Sequence, residues 1–148
     1  MESYYFLSEV LFNKDNIDQF YELILEQFNT IRSLIFDRIT INREFVDKFI
    51  ELAFTPNAGS GGYHPDYDLL AFDNCVTEEG VELHELIPLQ HCIYQIRIHN
   101  CGLTLGSALE IAQTCCADGD LIFTGNGLTE DDRKRIKSCW LLSKRVIV

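Results

Sequence analysis

The sequence is poor in the features that would name its chemistry. No uninterrupted apolar run exceeds four residues, as in Tyr4–Leu7 or Leu69–Phe72. A membrane-spanning helix needs about twenty such residues, and a secretory leader needs a basic start before an apolar core. Here the first basic residue is Lys14. A cytoplasmic protein is expected. No Cys-x-x-Cys pair occurs among the six cysteines, Cys75, Cys92, Cys101, Cys115, Cys116 and Cys139. In a reducing compartment they are expected to be free thiols, buried as small hydrophobes. No Gly-x-Ser-x-Gly elbow is present to carry a serine nucleophile. Basic residues are missing from 49–96, and acidic ones are missing after Asp132.

What is present is ample material for a core. Hydrophobic residues make up 47% of the 148, including ten Phe and six Tyr. Disorder requires low hydrophobicity together with high net charge. Only the charge condition is met, so residues 1–148 are expected to form one globular domain.

The net charge of −11 is unevenly spread. Residues 133–148 hold Arg133, Lys134, Arg135, Lys137, Lys144 and Arg145 without an acid, and all twenty-three acidic residues precede them. The stretch 49–96 carries Glu51, Asp66, Asp68, Asp73, Glu78, Glu79, Glu82 and Glu85 without a counter-charge. Such a field repels nucleic acid and favours a basic partner. Part of it could also be answered internally by the basic C-terminal segment.

Periodicity divides the chain. Ile17, Phe20, Ile24, Phe28, Ile31 and Ile35 recur at intervals of three and four, which predicts one helix from Asp15 to Asp37, capped by Asp15 or Asn16. A second helix follows Asn42, with Phe45, Phe49, Leu52 and Ala53 inward, until Pro56. Residues 55–67 read as a long surface loop. Short strands follow: Leu69–Phe72, a segment with Val81, Leu83 and Ile87 after the turn Glu78-Glu79-Gly80, and Cys92–Asn100. In the last, Cys92, Tyr94, Ile96 and Ile98 alternate with Gln95, Arg97 and His99. Ser107 and Glu110 have capping-box spacing. Leu121–Phe123 reads as a strand, Gly125-Asn-Gly127 as a turn, and Thr129 as the cap of a last helix with Ile136 and Trp140 inward. Val146–Val148 can close as a strand. No internal repeat is evident. The expected fold is α+β, a mostly antiparallel sheet packed by helices, with two N-terminal helices.

Candidate chemistry is sparse. Gly59-Ser-Gly-Gly62 lacks the lysine and following helix of a phosphate loop. His64, Asp66 and Asp68 could bind a metal or exchange a proton. His84, His91, His99 and Cys101 could serve as zinc ligands, His99 and Cys101 pointing the same way on a strand, but only one short spacing exists. The basic run Arg133–Lys137 reads as a solvated helix face, not a nucleic-acid grip. No catalytic residue, metal or cofactor is assigned.

The remaining reading is an acidic protein-binding inhibitor. By class analogy it is of the bacterial immunity or antitoxin kind, blocking the active site of a basic toxin or nuclease. The expected contact residues are Tyr63, His64, Asp66, Tyr67, Asp68, Asp73, Glu78, Glu79, Glu82 and Glu85, with Tyr63 and Tyr67 as anchors. The alternatives are a small metal-dependent hydrolase using His64, Asp66 and Asp68, and a non-inhibitory regulatory or adaptor domain.

Overall fold

The computed structural model describes residues 4–9, 11–26, 33–54, 67–87, 93–114, 120–139 and 146–148. The strands are β1 (Tyr4–Ser8), β2 (Ser33–Asp37), β3 (Thr40–Ile41), β4 (Tyr67–Asp73), β5 (Val76–Thr77), β6 (Ile93–His99), β7 (Leu121–Ile122) and β8 (Val146–Ile147). The helices are α1 (Ile17–Glu26), α2 (Arg43–Phe54), α3 (Leu105–Thr114) and α4 (Glu130–Cys139), with a 3-10 turn at Leu83–Leu86. Six strands form one sheet in the order β1-β2-β4-β6-β7-β8, and β3 pairs separately with β5. Every described strand pair is parallel.

This corrects the expected antiparallel sheet. Glu78-Glu79-Gly80 and Gly125-Asn-Gly127 do turn the chain, but they do not join paired strands. Each turn leads the chain from a strand end into a crossover, and a crossover returns the next strand parallel to the last. The two N-terminal helices exist as α1 and α2, with β2 and β3 between them. The first helix ends well before Asp37. Ile35 continues its spacing by coincidence, while Leu34 and Phe36 are buried and their neighbours half-buried, the period of a strand.

The strand order follows the chain order, so each crossover advances in the same direction. Right-handed crossovers then place the described helices on one face of the sheet. Burial agrees. Leu34, Phe36, Leu70, Phe72, Ile96, Ile98, Leu121 and Phe123 are sealed on the side that receives Phe20, Phe45, Phe49, Ile111 and Ile136 from the helices. Neighbouring connections touch in sequence: α1 with α2, α2 with the 3-10 turn, that turn with α3, and α3 with α4. The first coils are filled by aromatic rings. Phe12 stacks on Phe45 with ring centroids at 5.0 Å, and Phe36 on Phe72 at 5.2 Å.

The result is a solenoid, a stack of similar coils in which each touches its neighbours. The repeat unseen in the sequence lies in spatial columns. Two core residues close each strand: Leu34 and Phe36, Leu70 and Phe72, Ile96 and Ile98, Leu121 and Phe123. Three residues after the second of each pair come Ile39, Cys75, Cys101 and Asn126. Ile41, Leu103 and Leu128 follow two residues later, and Phe49, Ile111 and Ile136 follow on the helices; all of these apolar residues are buried.

The column of Cys75, Cys101 and Asn126 joins the coils by one repeated pattern. Each side chain donates to the carbonyl of the second core residue in the preceding coil: Cys75 Sγ to Phe36 at 3.5 Å, Cys101 Sγ to Phe72 at 3.3 Å, Asn126 Nδ2 to Ile98 at 2.9 Å. Each also meets the carbonyl two residues before it in its own coil, at Asp73, His99 and Thr124. In return the backbone N–H of Cys75 donates to Cys101 Sγ at 3.4 Å, and that of Cys101 to Asn126 Oδ1 at 2.8 Å. At the first junction Asn42 does similar work. Its amide donates to the Phe12 carbonyl at 2.7 Å, while its Oδ1 caps α2 by accepting from the Phe45 N–H at 3.0 Å.

Thr129 caps α4 as expected, exchanging bonds of 3.1 Å with Asp132. The Ser107–Glu110 box is corrected. The cap of α3 is Thr104, whose hydroxyl accepts from the Ser107 N–H at 3.1 Å. Ser107 thus lies inside the helix, which frees its own hydroxyl for another partner.

Removing Asn126 should therefore take from the Cys101 and Leu103 N–H groups and the Ile98 carbonyl the bonds it supplies, while the Thr124 carbonyl keeps the Asn100 N–H. Asn126→Ala is expected to cost about 2–3 kcal/mol in urea unfolding, the penalty for stranded buried polar groups. Asn126→Cys, which installs the residue found at that place in the two preceding coils, should cost less. Equal losses would show that the bonds do not carry the effect.

Candidate functional site

The face of the sheet opposite the connections is polar along one edge. Strand register aligns Ser8 with Asp37, Asp37 with Asp73 and Asp73 with His99. Thr124 extends this row, its Oγ1 lying 2.8 Å from His99 Nδ1. Nearer the strand N-termini on the same face stand Ile35, Gln95, Arg97 and Ile122, all half-buried. Gln95, Arg97 and His99 are on the face opposite Ile96 and Ile98, as the alternation predicts.

Just beyond this row the backbone turns through a left-handed residue in every coil. Glu9, Arg38, Asn74 and Asn100 have φ of 59°, 53°, 56° and 52°. Gly125 follows at 70°. A Cβ at Gly125 would stand 3.1 Å from His99 Cε1, so glycine there makes room for the His99 ring. Asn populates this backbone region more readily than most residues because its short polar side chain can bond locally.

The two rows are tied together. Asn100 Nδ2 donates to Asn74 Oδ1 at 2.9 Å, and Asn74 Nδ2 donates to Asp37 Oδ1 at 3.0 Å. Arg38 Nε donates to Asp37 Oδ2 at 2.6 Å, and its NH1 reaches Glu9 at 2.9 Å. Arg97 grips Asp73 with two bonds, at 2.9 and 2.6 Å, the fork geometry that favours arginine over lysine. The amide of Asn74, then the guanidinium of Arg38, hold the Asp37 carboxyl below its usual range. Asp73 correspondingly raises Arg97. Beside these rows the exposed side chains of Leu11 and Val76 flank Thr40, to which both are bridged. The edge thus presents a pre-formed polar ladder with two apolar contacts beside it.

A second cluster lies among the connections. Ser107, 3% exposed, donates to Glu82 Oε2 at 3.1 Å and lies 3.0 Å from His84 Nδ1. The composition suggests a nucleophile with its base, but the order of bonds does not. The single hydroxyl proton goes to Glu82, so His84 meets Ser107 as a donor and is not placed to receive its proton. The cluster clamps the 3-10 turn to α3. Cys101 is equally unsuited to attack. The Cys75 thiol beside it, then burial, push its own thiol up, and a nucleophile needs the thiolate.

Of the residues expected to bind a partner, those among the described residues fall on different parts of the fold. Tyr63, His64 and Asp66 lie outside the described residues, as do His91 and Trp140; of Tyr67 only the backbone, opening β4, is described. Asp68 is exposed, but five residues from Asp73 on the same strand it takes the opposite face. Asp73 belongs to the open face. Glu78 and Glu79 are placed just after β5, Glu79 exposed at the turn. Glu82 holds Ser107, and Glu85 is paired with Arg43 at 3.0 Å and accepts from the Glu82 N–H at 2.9 Å. Arg43 holds the Glu85 carboxyl low. This part of the acidic stretch is answered by Arg43, from outside the stretch but not from the C-terminal segment. His99 and Cys101 do not share a face either: the left-handed turn at Asn100 sends Cys101 into the core. Among the described residues no group of three or more His, Cys, Asp or Glu could hold a metal ion, and no helix is long and apolar enough to cross a membrane.

Sequence reading missed Asp37, Arg38, Asn74, Arg97, Asn100 and Thr124. A signal existed: the pairs Asp37-Arg38, Asp73-Asn74, His99-Asn100 and Thr124-Gly125 each directly follow an apolar–x–apolar triplet. Comparison with protein-family models, curated proteins and solved structures finds no match for this chain.

Because the Asp37 carboxyl is depressed, its ionised form favours the folded state above the ordinary carboxylate range, and that contribution fades as pH falls through its folded value. Asn74→Ala should move the Asp37 titration upward, read by carboxyl-carbon NMR. An unmoved titration would assign the depression to Arg38.

Proposed function

We propose that the chain is a protein-binding solenoid whose open sheet face and strand-end ladder receive the partner. The coils follow the pattern of leucine-rich repeats, apolar residues at fixed places in each strand followed by Asn or Cys and another apolar residue, as in Ile96, Ile98, Cys101 and Leu103. Stacked coils of this kind produce an extended surface on the strand side. One observation supports the reading: a parallel sheet is ordinarily covered on both faces, yet among the described residues the helices take one face and leave Asp37, Asp73, His99 and Thr124 in a row on the other.

The ladder favours recognition over catalysis. Its groups are bonded to one another, held rigidly by the sheet, and mixed with apolar side chains, which lowers the ordering cost of binding. The acidic surplus of the chain favours a basic partner. An inhibitor of the immunity or antitoxin kind is the specific form of this reading, and an adaptor that leaves its partner's activity unchanged is its neighbour. The hydrolase alternative rests on His64, Asp66 and Asp68, of which Asp68 alone lies among the described residues.

The test is capture of a stoichiometric partner from native cells. The double variant Ile35→Lys and Gln95→Lys, which places two charges on the open face, should weaken that complex by about 100-fold through charge repulsion. Glu110→Lys, on the exposed side of α3, should leave it intact. Retention by the open-face variant sinks the proposal. Assaying the captured partner with and without the chain then separates inhibitor from adaptor.

A further inference from the structure

The residue that fastens the last junction differs in its chemistry from those before it. Cys75 and Cys101 are thiols, whereas Asn126 is a carboxamide, and with Gly127 it forms the one Asn-Gly pair of the sequence. Such a pair can react with itself. The backbone nitrogen of the glycine attacks the side-chain carbonyl carbon of the asparagine, its approach unhindered by a Cβ. A new C–N bond closes a cyclic imide, and the Cγ–Nδ2 bond breaks. The amide nitrogen leaves as ammonia, taking the backbone N–H proton with it. Water then opens the imide at either carbonyl, which leaves aspartate or its β-linked isomer. Water is the sole co-reactant.

The fold treats the two reacting groups differently. Gly127 is exposed with φ of 74°, and a Cβ there would meet nothing within 4 Å, so the attacking side is uncrowded among the described residues. The carboxamide is held. Its Nδ2 donates to the carbonyls of Ile98 at 2.9 Å and Thr124 at 3.1 Å. Its Oδ1 accepts from the N–H groups of Cys101 at 2.8 Å and Leu103 at 3.3 Å. Ile98, Cys101 and Leu103 all belong to the preceding coil. These bonds lie in the carboxamide plane, so turning that plane toward the Gly127 nitrogen gives them up and parts the two coils.

We infer that Asn126 is a deamidation site closed by the coil junction: the reaction runs when the last coil lifts, and its product keeps that coil from reseating. An aspartate at 126 has two acceptor oxygens and no amide donor, so it sets acceptor against acceptor at the Ile98 and Thr124 carbonyls. The β-linked isomer adds a backbone carbon just before Gly127 and so displaces Leu128, which is buried. Opening of this end thereby becomes a one-way step recorded in the covalent structure. The other junctions keep no such record. Thiols fasten two of them, and Asn42 at the first is followed by Arg43, whose side chain hinders the same attack. The inference stands apart from the proposed partner, since the reaction needs the chain and water alone.

The test follows the full wild-type chain at mildly alkaline pH, folded and in urea above the unfolding transition. Peptide mass spectrometry reads conversion of Asn126. Conversion in the folded chain should be at least about tenfold slower than in urea, in proportion to the rarity of the open state. A folded chain that converts as fast as the unfolded one overturns the inference. Asn126→Asp supplies the product directly. In it, amide exchange of α4 is expected to quicken at least about tenfold while α1 and α2 keep wild-type protection, since opening is confined to one end of the stack. Wild-type protection of α4, or loss of protection in α1 and α2 as well, overturns the one-way release of that end. The conversion rates are read on the wild-type chain and do not depend on the variant folding.

Discussion

Everything else in this fold depends on how one coil is fastened to the next. A parallel strand ladder stops where the strand stops, and beyond that point the chain must turn a corner with buried backbone groups still to satisfy. Cys75, Cys101 and Asn126 solve this at the same place in successive coils. Each donates backward to a carbonyl, and Cys101 and Asn126 also accept the N–H of the equivalent residue one coil earlier. The position tolerates thiol or amide because both can donate and accept at short reach. This accounts for two of the six cysteines, and it explains why a reactive role suits them poorly: both are sealed among main-chain partners.

The corner also decides what is displayed. Because the backbone turns left-handed just after each strand, the side chain before the turn stays on the open face and the one after it enters the core. Asp37, Asp73 and His99 are thus held outward by the same geometry that buries Ile39, Cys75 and Cys101. The surface row and the internal ladder are two sides of one conformational choice, so the proposed binding edge is as regular as the core beneath it.

Part of this was legible from residues alone. The alternation in Cys92–Asn100 located β6 and its open face, Asn42 marked the start of α2, and Thr129 marked α4. Other elements misled because one residue type served two periods: Ile35 fits a helical stripe and also sits on a strand. Parallel pairing was hidden because turn residues announce a change of direction but do not reveal whether a hairpin or a crossover comes next. The repeat escaped because its columns mix residue types, with Ile39, Cys75, Cys101 and Asn126 at one place, and the connections between coils vary from an α-helix to a 3-10 turn. The acidic residues are plain in the sequence, but nothing in it signals that Glu82 and Glu85 are committed to Ser107 and Arg43.

The agreement of strand order with chain order bears on how the protein reaches its fold. In most parallel sheets, strands distant in the sequence must meet before pairing is rewarded, which slows folding. Here each strand of the six-stranded sheet pairs with the strand of the next coil, so no contact within it must wait for a distant segment. Folding can begin at any well-packed pair of coils and spread outward by addition. The ring cluster of Phe12, Phe20, Phe36, Phe45, Phe49 and Phe72 makes the first coils the natural seed, with the α4 and β8 end joining last.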